Sequence, residues 1–322
     1  MKKGIGTAIR GRIVFVLFVW LFPPAAGICA HLINPKIVLG NGGYSMERHY
    51  LGRDVLLEAN GLYKSIDVEE FVVGVMAGVV ATDYNVEALK TQAVLVRTNV
   101  LKEMEEKSTK DVSDLSYRYL TKEERKELWG RQNYEKNELR LEHAVIDTAG
   151  KVIRKDGELI MALYHEVSIG KTADASEIMD EDISYLKSVD SSRDVEARNY
   201  MNIYRYTWGE LGKMLSDFTG ENTDAISSLS IEESTENGFV KKVSIGEKIY
   251  TGQETADIFG LPSTNFYVEN MEDGIRFVCL GKGNCLGVSQ YGANILADKG
   301  EKMEDIILHY YGDVSLENYI HN

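Results

Sequence analysis

Between residues 68 and 80 the chain reads VEEFVVGVMAGVV, apolar at almost every position after its two glutamates. A helix without a polar face is a buried helix. Asp67 is its expected N-cap, and Glu70, three residues on, has the spacing of a capping box. Gly74 and Gly78 within it permit close approach by a neighbour. Asn85 is the expected cap of a second helix, running from Val86 to about Glu106. There Leu89, Ala93, Val96, Val100 and Met104 recur at spacings of four, three, four and four, which is one face of a helix. Upstream, residues 34–63 read as irregular chain with one strand at 36–39. Residues 105–140 are highly charged, with a Thr121–Glu124 capping box, and are expected to form a solvated helical insertion that continues as helix over 139–147.

From Gly150 the period changes. Residues 151–155 and 158–164 flank Asp156-Gly157, the signature of a hairpin on a type I′ turn. Asn237-Gly238 and Asp273-Gly274 each separate two β-like runs, so 225–281 is expected to be mostly antiparallel strand. Helices return at 290–298 and 303–310, followed by Gly300 and Gly312. This order defines an α+β fold, with buried helices at the start and end of the domain and antiparallel β-hairpins between.

Charge narrows the function. The chain has 322 residues with 50 acids against 36 Lys and Arg, a net charge of −14. That balance argues against nucleic acid, which needs a basic face. The first 12 residues carry Lys2, Lys3, Arg10 and Arg12 and no acid, so the rest of the chain is more acidic still. Residues 13–33 then contain no Asp, Glu, Lys or Arg, and are long enough as a helix to span about 30 Å. Two readings stand for residues 1–33. One is a retained membrane anchor. The other is a signal peptide with its apolar region at 13–22, a break at Pro23-Pro24 and cleavage near Ala30. Under both, residues 34–322 lie outside the cytoplasm, because the basic residues precede the apolar run. Cys29, behind a large Ile28, does not fit a lipidation site. Cys279 and Cys285 are either an extracytoplasmic disulfide or two buried thiols. Two cysteines do not make a zinc site, and neither metal nor cofactor is expected.

Three segments carry candidate chemistry. Gly281-Lys-Gly283-Asn284-Cys285-Leu-Gly287, followed by VSQYGA, sets glycines between a strand and a helix. It is neither the dinucleotide fingerprint nor a P-loop, and reads as a tight turn or a ligand loop. Ser289 as a nucleophile lacks an identifiable base. The run YHEVSIGKT packs His165, Ser168 and Gly170 into one turn, with His165 either a base or a hydrogen-bonded structural residue. On the second helix Glu87, Lys90 and Thr91 share a face, which alone is a solvated face with charge pairs.

Together these segments resemble the SpoIID/LytB domain, that of stage II sporulation protein D. VEEFVVGVMAGVV with Glu87-Ala-Leu-Lys-Thr-Gln-Ala-Val94 and Arg97-Thr98 is similar to its opening. YHEVSIGKT with YLKSVD (185–190) is similar to its central motif, and GKGNCLGVSQYGA with IILHYY (306–311) to its C-terminal one. The resemblance covers roughly residues 37–314. It implies an extracytoplasmic protein, often tethered by one N-terminal segment, with a cleft between lobes that takes peptidoglycan glycan strands. Its sporulation members are lytic transglycosylases acting on strands without stem peptides, beside a peptidoglycan amidase and a membrane partner. Carried over by motif, the cleft would be lined by Glu87, Lys90, Gln92, Arg97, His165, Ser168, Lys171, Thr172, Gly283, Asn284, Ser289, Gln290 and Tyr291.

The chemistry that the resemblance implies needs one carboxyl group. It protonates the glycosidic oxygen, then as carboxylate takes the C6 hydroxyl proton while a 1,6-anhydro ring closes. The family's Glu for this task falls at Val79 when the register is fixed on Glu87-Ala-Leu-Lys90. Asn284 stands for a usual His, and Cys285 and Ile169 for usual glycines. The expected function is therefore glycan binding with lost or weakened cutting. The alternative is an active transglycosylase with a relocated acid, Asp83 first among the candidates.

Overall fold

The computed structural model describes residues 53–59, 62–179, 183–221 and 226–319. The strand expected at 36–39 and the apolar run 13–33 lie outside the described residues. Among the described residues no helix is long and apolar enough to cross a membrane.

The chain between 54 and 63 is not irregular. β1 (Asp54–Ala59) pairs antiparallel with β2 (Leu62–Asp67). The pairing sets Val55 opposite Ile66, and both are buried. α1 (Val68–Val79) follows with Asp67 as cap, its carboxylate accepting the Glu69 N–H at 2.8 Å. Glu70 lies 3.9 Å from Lys122 Nζ instead of closing the expected box.

α2 (Val86–Glu106) is capped by Asn85, which accepts the Glu87 N–H at 3.0 Å. Its expected face is buried, and so is the opposite one. Leu89, Ala93, Val96 and Val100 pack on α1, while Ala88, Val94 and Leu95 enter a second core. The polar residues between them survive burial because each is satisfied. Asn99 brackets Ala162, donating to its carbonyl at 2.9 Å and accepting its N–H at 2.7 Å. Thr98 Oγ1 donates to Val94 O and accepts the Ile153 N–H.

α3 (Lys122–Asp147) opens with the expected Thr121–Glu124 box and kinks at Gly130, where φ is 68° and ψ 158°. The charged insertion is only partly solvated. Tyr119 stacks on Phe71 with centroids 5.6 Å apart, over Gly74, where an added Cβ would fall 2.2 Å from the Tyr119 ring. The glycine is what lets this segment dock on α1. Arg125 and Glu138 are buried together at 2.6 Å.

β3 (Lys151–Lys155) and β4 (Glu158–Leu159) form the expected hairpin, with Asp156 at φ 52° and Gly157 at φ 86°. The second strand is shorter than expected. The chain leaves it for β5 (Tyr164–His165) and the short α4 (Ala175–Ile178). Then come β6 (Met201–Thr207), α5 (Trp208–Thr219), β7 (Leu229–Ser234), β8 (Val240–Ile245), β9 (Lys248–Thr251), α6 (Gly252–Phe259), β10 (Phe266–Asn270) and β11 (Gly274–Leu280). β7, β8 and β9 form a meander, and β10, β11 and β6 a second sheet in that order. α6, on a Thr251–Glu254 capping box, interrupts the expected run of strands. This lobe has its own core around Leu211, Phe259, Phe266, Ile275 and Phe277.

β12 (Val288–Ser289), α7 (Gln290–Asp298), α8 (Met303–Tyr310) and β13 (Ser315–Asn318) return the chain to the first lobe. α7 and α8 pack on α2, and β13 pairs antiparallel with β3.

Candidate functional site

Residues from distant parts of the chain meet at the N-terminal end of α2. β5 and β12 run parallel, Tyr164 beside Val288 and His165 beside Ser289. The loop before β12 folds back on the strand. Lys282 O accepts the N–H groups of Glu166 and Val167, and Lys282 N donates to Val167 O at 2.7 Å. Gly283 (φ 103°) lies so close that an added Cβ would fall 2.7 Å from His165 Cβ. Tyr291 N donates to Glu166 O at 3.1 Å. Gln290 Nε2 donates to Val79 O at 2.8 Å and to Gln92 Oε1 at 3.1 Å. Asn85 N donates to Asn294 Oδ1 at 2.7 Å. The end of α1, the start of α2, the His165 turn and the glycine loop thus form one contiguous region.

A residue that sequence reasoning missed lies beneath it. Asp194 is fully buried. Its Oδ2 accepts the Ser168 N–H at 2.6 Å and the Ser289 hydroxyl at 2.5 Å, while its Oδ1 accepts the Ser191 hydroxyl at 2.9 Å. Ser191 Oγ also lies 3.0 Å from the Tyr310 hydroxyl. A buried carboxylate is tolerated when several donors hold it, and here they come from three segments. Ser289 in turn caps α7 by accepting the Gly292 N–H. It is spent on structure and is not an exposed nucleophile.

His165 is buried with Nδ1–H donating to Leu286 O at 3.0 Å, and Nε2 has no hydrogen-bond partner among the described residues. Burial lowers its pKa to about 4, against the opposing pull of the Leu286 carbonyl and Asp194. It is a neutral imidazole at pH 7 with a bare acceptor nitrogen. Burial, with Glu166, Asp83 and Tyr291 nearby, raises the Tyr84 hydroxyl and keeps it protonated.

The structure reassigns several residues expected in a cleft. Arg97 is fully buried, clamped on Glu69 at 2.6 Å and donating to Val145 O and Lys151 O. Its donors are engaged inside the fold. Glu87 accepts the Met303 N–H at the start of α8 and pairs with Lys90, which also reaches Asp147 at 3.0 Å, so both tie helices together. Ser168 and Thr172 are buried, Thr172 bracketing Val189 and Lys187. Gln92 and Gln290 are buried beside Val79. Asn284 closes a turn by accepting the Leu286 N–H. Cys285 takes a left-handed φ of 58°, a conformation that favours glycine. Tyr291 is half-buried and Lys171 exposed. Cys279 and Cys285 are free buried thiols, which decides between the two readings of that pair.

Carboxylates around the region differ in occupation. Glu166 is held by Lys282 at 2.6 Å and by the Asn199 amide. Asp83 lies exposed on the turn after α1, with no hydrogen bond or ion pair among the described residues. Val79 is the last residue of α1, half-buried against the first core, and its carbonyl accepts the Gln290 amide. A recess of about 320 Å³, lined by Arg53, Met104, Glu105, Ser108, Thr109 and Lys110, sits at the other end of α2 and is no part of this region.

The fold and this region define a class: α+β domains in which sequence-distant motifs are bound together around a buried aspartate. Comparison with known proteins is specific. Residues 58–154 match the family model described as stage II sporulation protein. The chain is 31% identical over 262 residues to stage II sporulation protein D of Bacillus subtilis, covering 79% of this chain and 75% of that one. It is 29% identical over 267 residues to stage II sporulation protein D of Bacillus amyloliquefaciens, covering 80% and 76%. An uncharacterised protein of Brachyspira hyodysenteriae is 23% identical over 261 residues. The chain belongs to the stage II sporulation protein D family.

Proposed function

We propose that this chain is a wall-remodelling member of its family that holds peptidoglycan glycan strands without cutting them efficiently. The observation that carries the reading is Val79. The family register puts the acid of the lytic reaction there, and a valine side chain neither gives nor takes a proton. The frame around it supports binding. Gln290 still ties the Val79 carbonyl to α2, and Cys285 keeps the left-handed backbone where the family has glycine. Glu87 and Glu166 already serve other partners. The reading includes the extracytoplasmic placement argued from the N-terminal charge, a tether through residues 13–33, and action beside an amidase and a membrane partner.

The test is digestion of stem-peptide-free glycan strands, with mass-spectrometric detection of 1,6-anhydro ends. The wild type is expected to release few or none. Loss of general acid–base catalysis costs about 10²–10⁴ in rate, and here one group serves in both roles. Val79→Glu is expected to raise the yield of anhydro ends, because a half-buried carboxyl is partly desolvated and holds its proton more tightly. Robust cutting by the wild type, abolished by Asp83→Asn, would overturn the reading in favour of a relocated acid. Protease added to intact protoplasts should remove the domain, and full protection would overturn the placement.

A further inference from the structure

The candidate region does not end at the glycine loop. β11 leads straight into it, and the outer face of the sheet containing β11 carries large side chains in water. Tyr267 is 54% exposed and Ile203 51%. The strand registers put Tyr267, Val278 and Ile203 in one cross-strand row, and Glu269, Arg276 and Arg205 in the row beside it. Alternation along β6, β10 and β11 sends both rows to the face opposite the core. In the second row Arg276 Nε donates to Glu269 at 2.6 Å. Arg205, exposed at the next position, has no carboxylate partner among the described residues. On a chain of net charge −14 that is an uncompensated cation, on the same sheet face as the exposed Tyr267 ring and across β11 from it.

This face and the candidate region are physically continuous. Gly281 N donates to Tyr200 O at 2.7 Å, and Lys282 pairs with Glu166, whose carbonyl holds Tyr291. The Tyr200 hydroxyl is raised by burial and by its neighbour Tyr267. Along β11 the Tyr267 row, at Val278, lies nearer Lys282 than the Arg205 row, at Arg276.

The chemistry of the two rows selects the occupant. A sugar ring presents a face of C–H bonds that stacks on an exposed tyrosine ring, which is apolar in its body and polar at its tip. A muramic acid without its stem peptide carries a free lactyl carboxylate, a planar acceptor for a guanidinium. We propose that the outer face of the β10–β11–β6 sheet is a second glycan subsite. Tyr267 stacks on a sugar ring there, and Arg205 pairs with the lactyl carboxylate of a stem-peptide-free muramic acid. The proposal rests on the glycan reading of the candidate region.

The test is binding of the full chain to two probes of matched length: stem-peptide-free strands of alternating N-acetylglucosamine and N-acetylmuramic acid, and neutral chitin oligomers. The wild type is expected to prefer the muramic strands, with a preference that shrinks as salt rises. An exposed ion pair contributes about 0.2–1 kcal/mol, so Arg205→Gln should weaken the muramic strands about 1.5- to 5-fold and leave chitin unchanged. Tyr267→Ala should weaken both probes. Both side chains are exposed, and circular dichroism of each variant checks folding. Unchanged binding of both probes by both folded variants would overturn this subsite and leave the glycan reading intact. Failure of the folded wild type to bind either probe would overturn the glycan reading and this inference with it.

Discussion

Glu69→Gln is the substitution that best separates a structural from a ligand-binding role for Arg97. Glu69 Oε2 takes Arg97 Nη2 at 2.6 Å and both carboxylate oxygens accept Arg97 Nε, at 2.9 and 3.0 Å. Glu69 Oε1 also accepts the Gly150 N–H at 3.0 Å, so the pair fastens α1, α2 and the start of β3 together. Both residues are essentially sealed from water. The amide keeps the volume and one acceptor oxygen but leaves the guanidinium without a counter-charge. Breaking a buried pair from one side costs about 3–5 kcal/mol, against a whole-domain stability of about 5–15 kcal/mol. With a urea slope of about 1–3 kcal/mol per molar, the unfolding midpoint should fall by at least about 1 M. Removing both charges in Glu69→Leu/Arg97→Met should be milder than Glu69→Gln alone, since no lone charge is left buried. The assay is urea unfolding followed by circular dichroism, with glycan binding measured on whatever remains folded. A Glu69→Gln midpoint within about 0.3 M of wild type, or a double variant worse than the single, would refute the structural assignment.

Two further outcomes follow from the buried groups. His165 has a folded-state pKa lowered to about 4, so the unfolded chain binds its proton first as pH falls. Its contribution to stability should be intact above about pH 6.5, fall by up to about 3 kcal/mol, and level off below about pH 4. His165→Gln should flatten that part of the acid limb of the urea midpoint, and identical pH slopes in the two proteins would show that the imidazole is not held neutral. For the cysteines, burial pushes the thiols of Cys279 and Cys285 up to about 12. Alkylation at pH 8 should spare both in the native chain, yet peptide mapping should find both labelled after unfolding without reductant. Labelling only after reduction would mean a disulfide.

The helices were legible where one physical signal dominated. α1 is apolar all round, and α2 repeats its core positions and begins at a capping asparagine, so their ends match the expected ones within a residue. The hairpin at Asp156-Gly157 was legible because both residues adopt positive φ readily. Reading failed where polar residues are buried. Glu87 and Lys90 are half-buried and do form the expected i,i+3 charge pair, but Gln92 and Arg97 are sealed in. Helix period alone cannot tell water from a hydrogen-bonded interior. Only the partners decide it, and these lie far off in the chain, at Glu69 and Gln290. The ribbon β1–β2 was missed because neither strand alternates: β1 runs Val55-Leu56-Leu57 without a break, and β2 buries only its last two residues, Ile66 and Asp67.

Asp194 shows the same limit from the other side. It sits in SRDVE, which by composition is an exposed turn, and no periodicity or spacing singles it out. Its meaning comes from Ser168, Ser191 and Ser289 being folded onto it. None of these residues is at the end of α1. The network joining the central and C-terminal motifs is therefore assembled without any contribution from the side chain at position 79. A valine there leaves the aspartate and its three donors in place, and the Gln290 contact reaches only the Val79 backbone. In this architecture the parts that hold the region's shape and the part that would move a proton are separate residues.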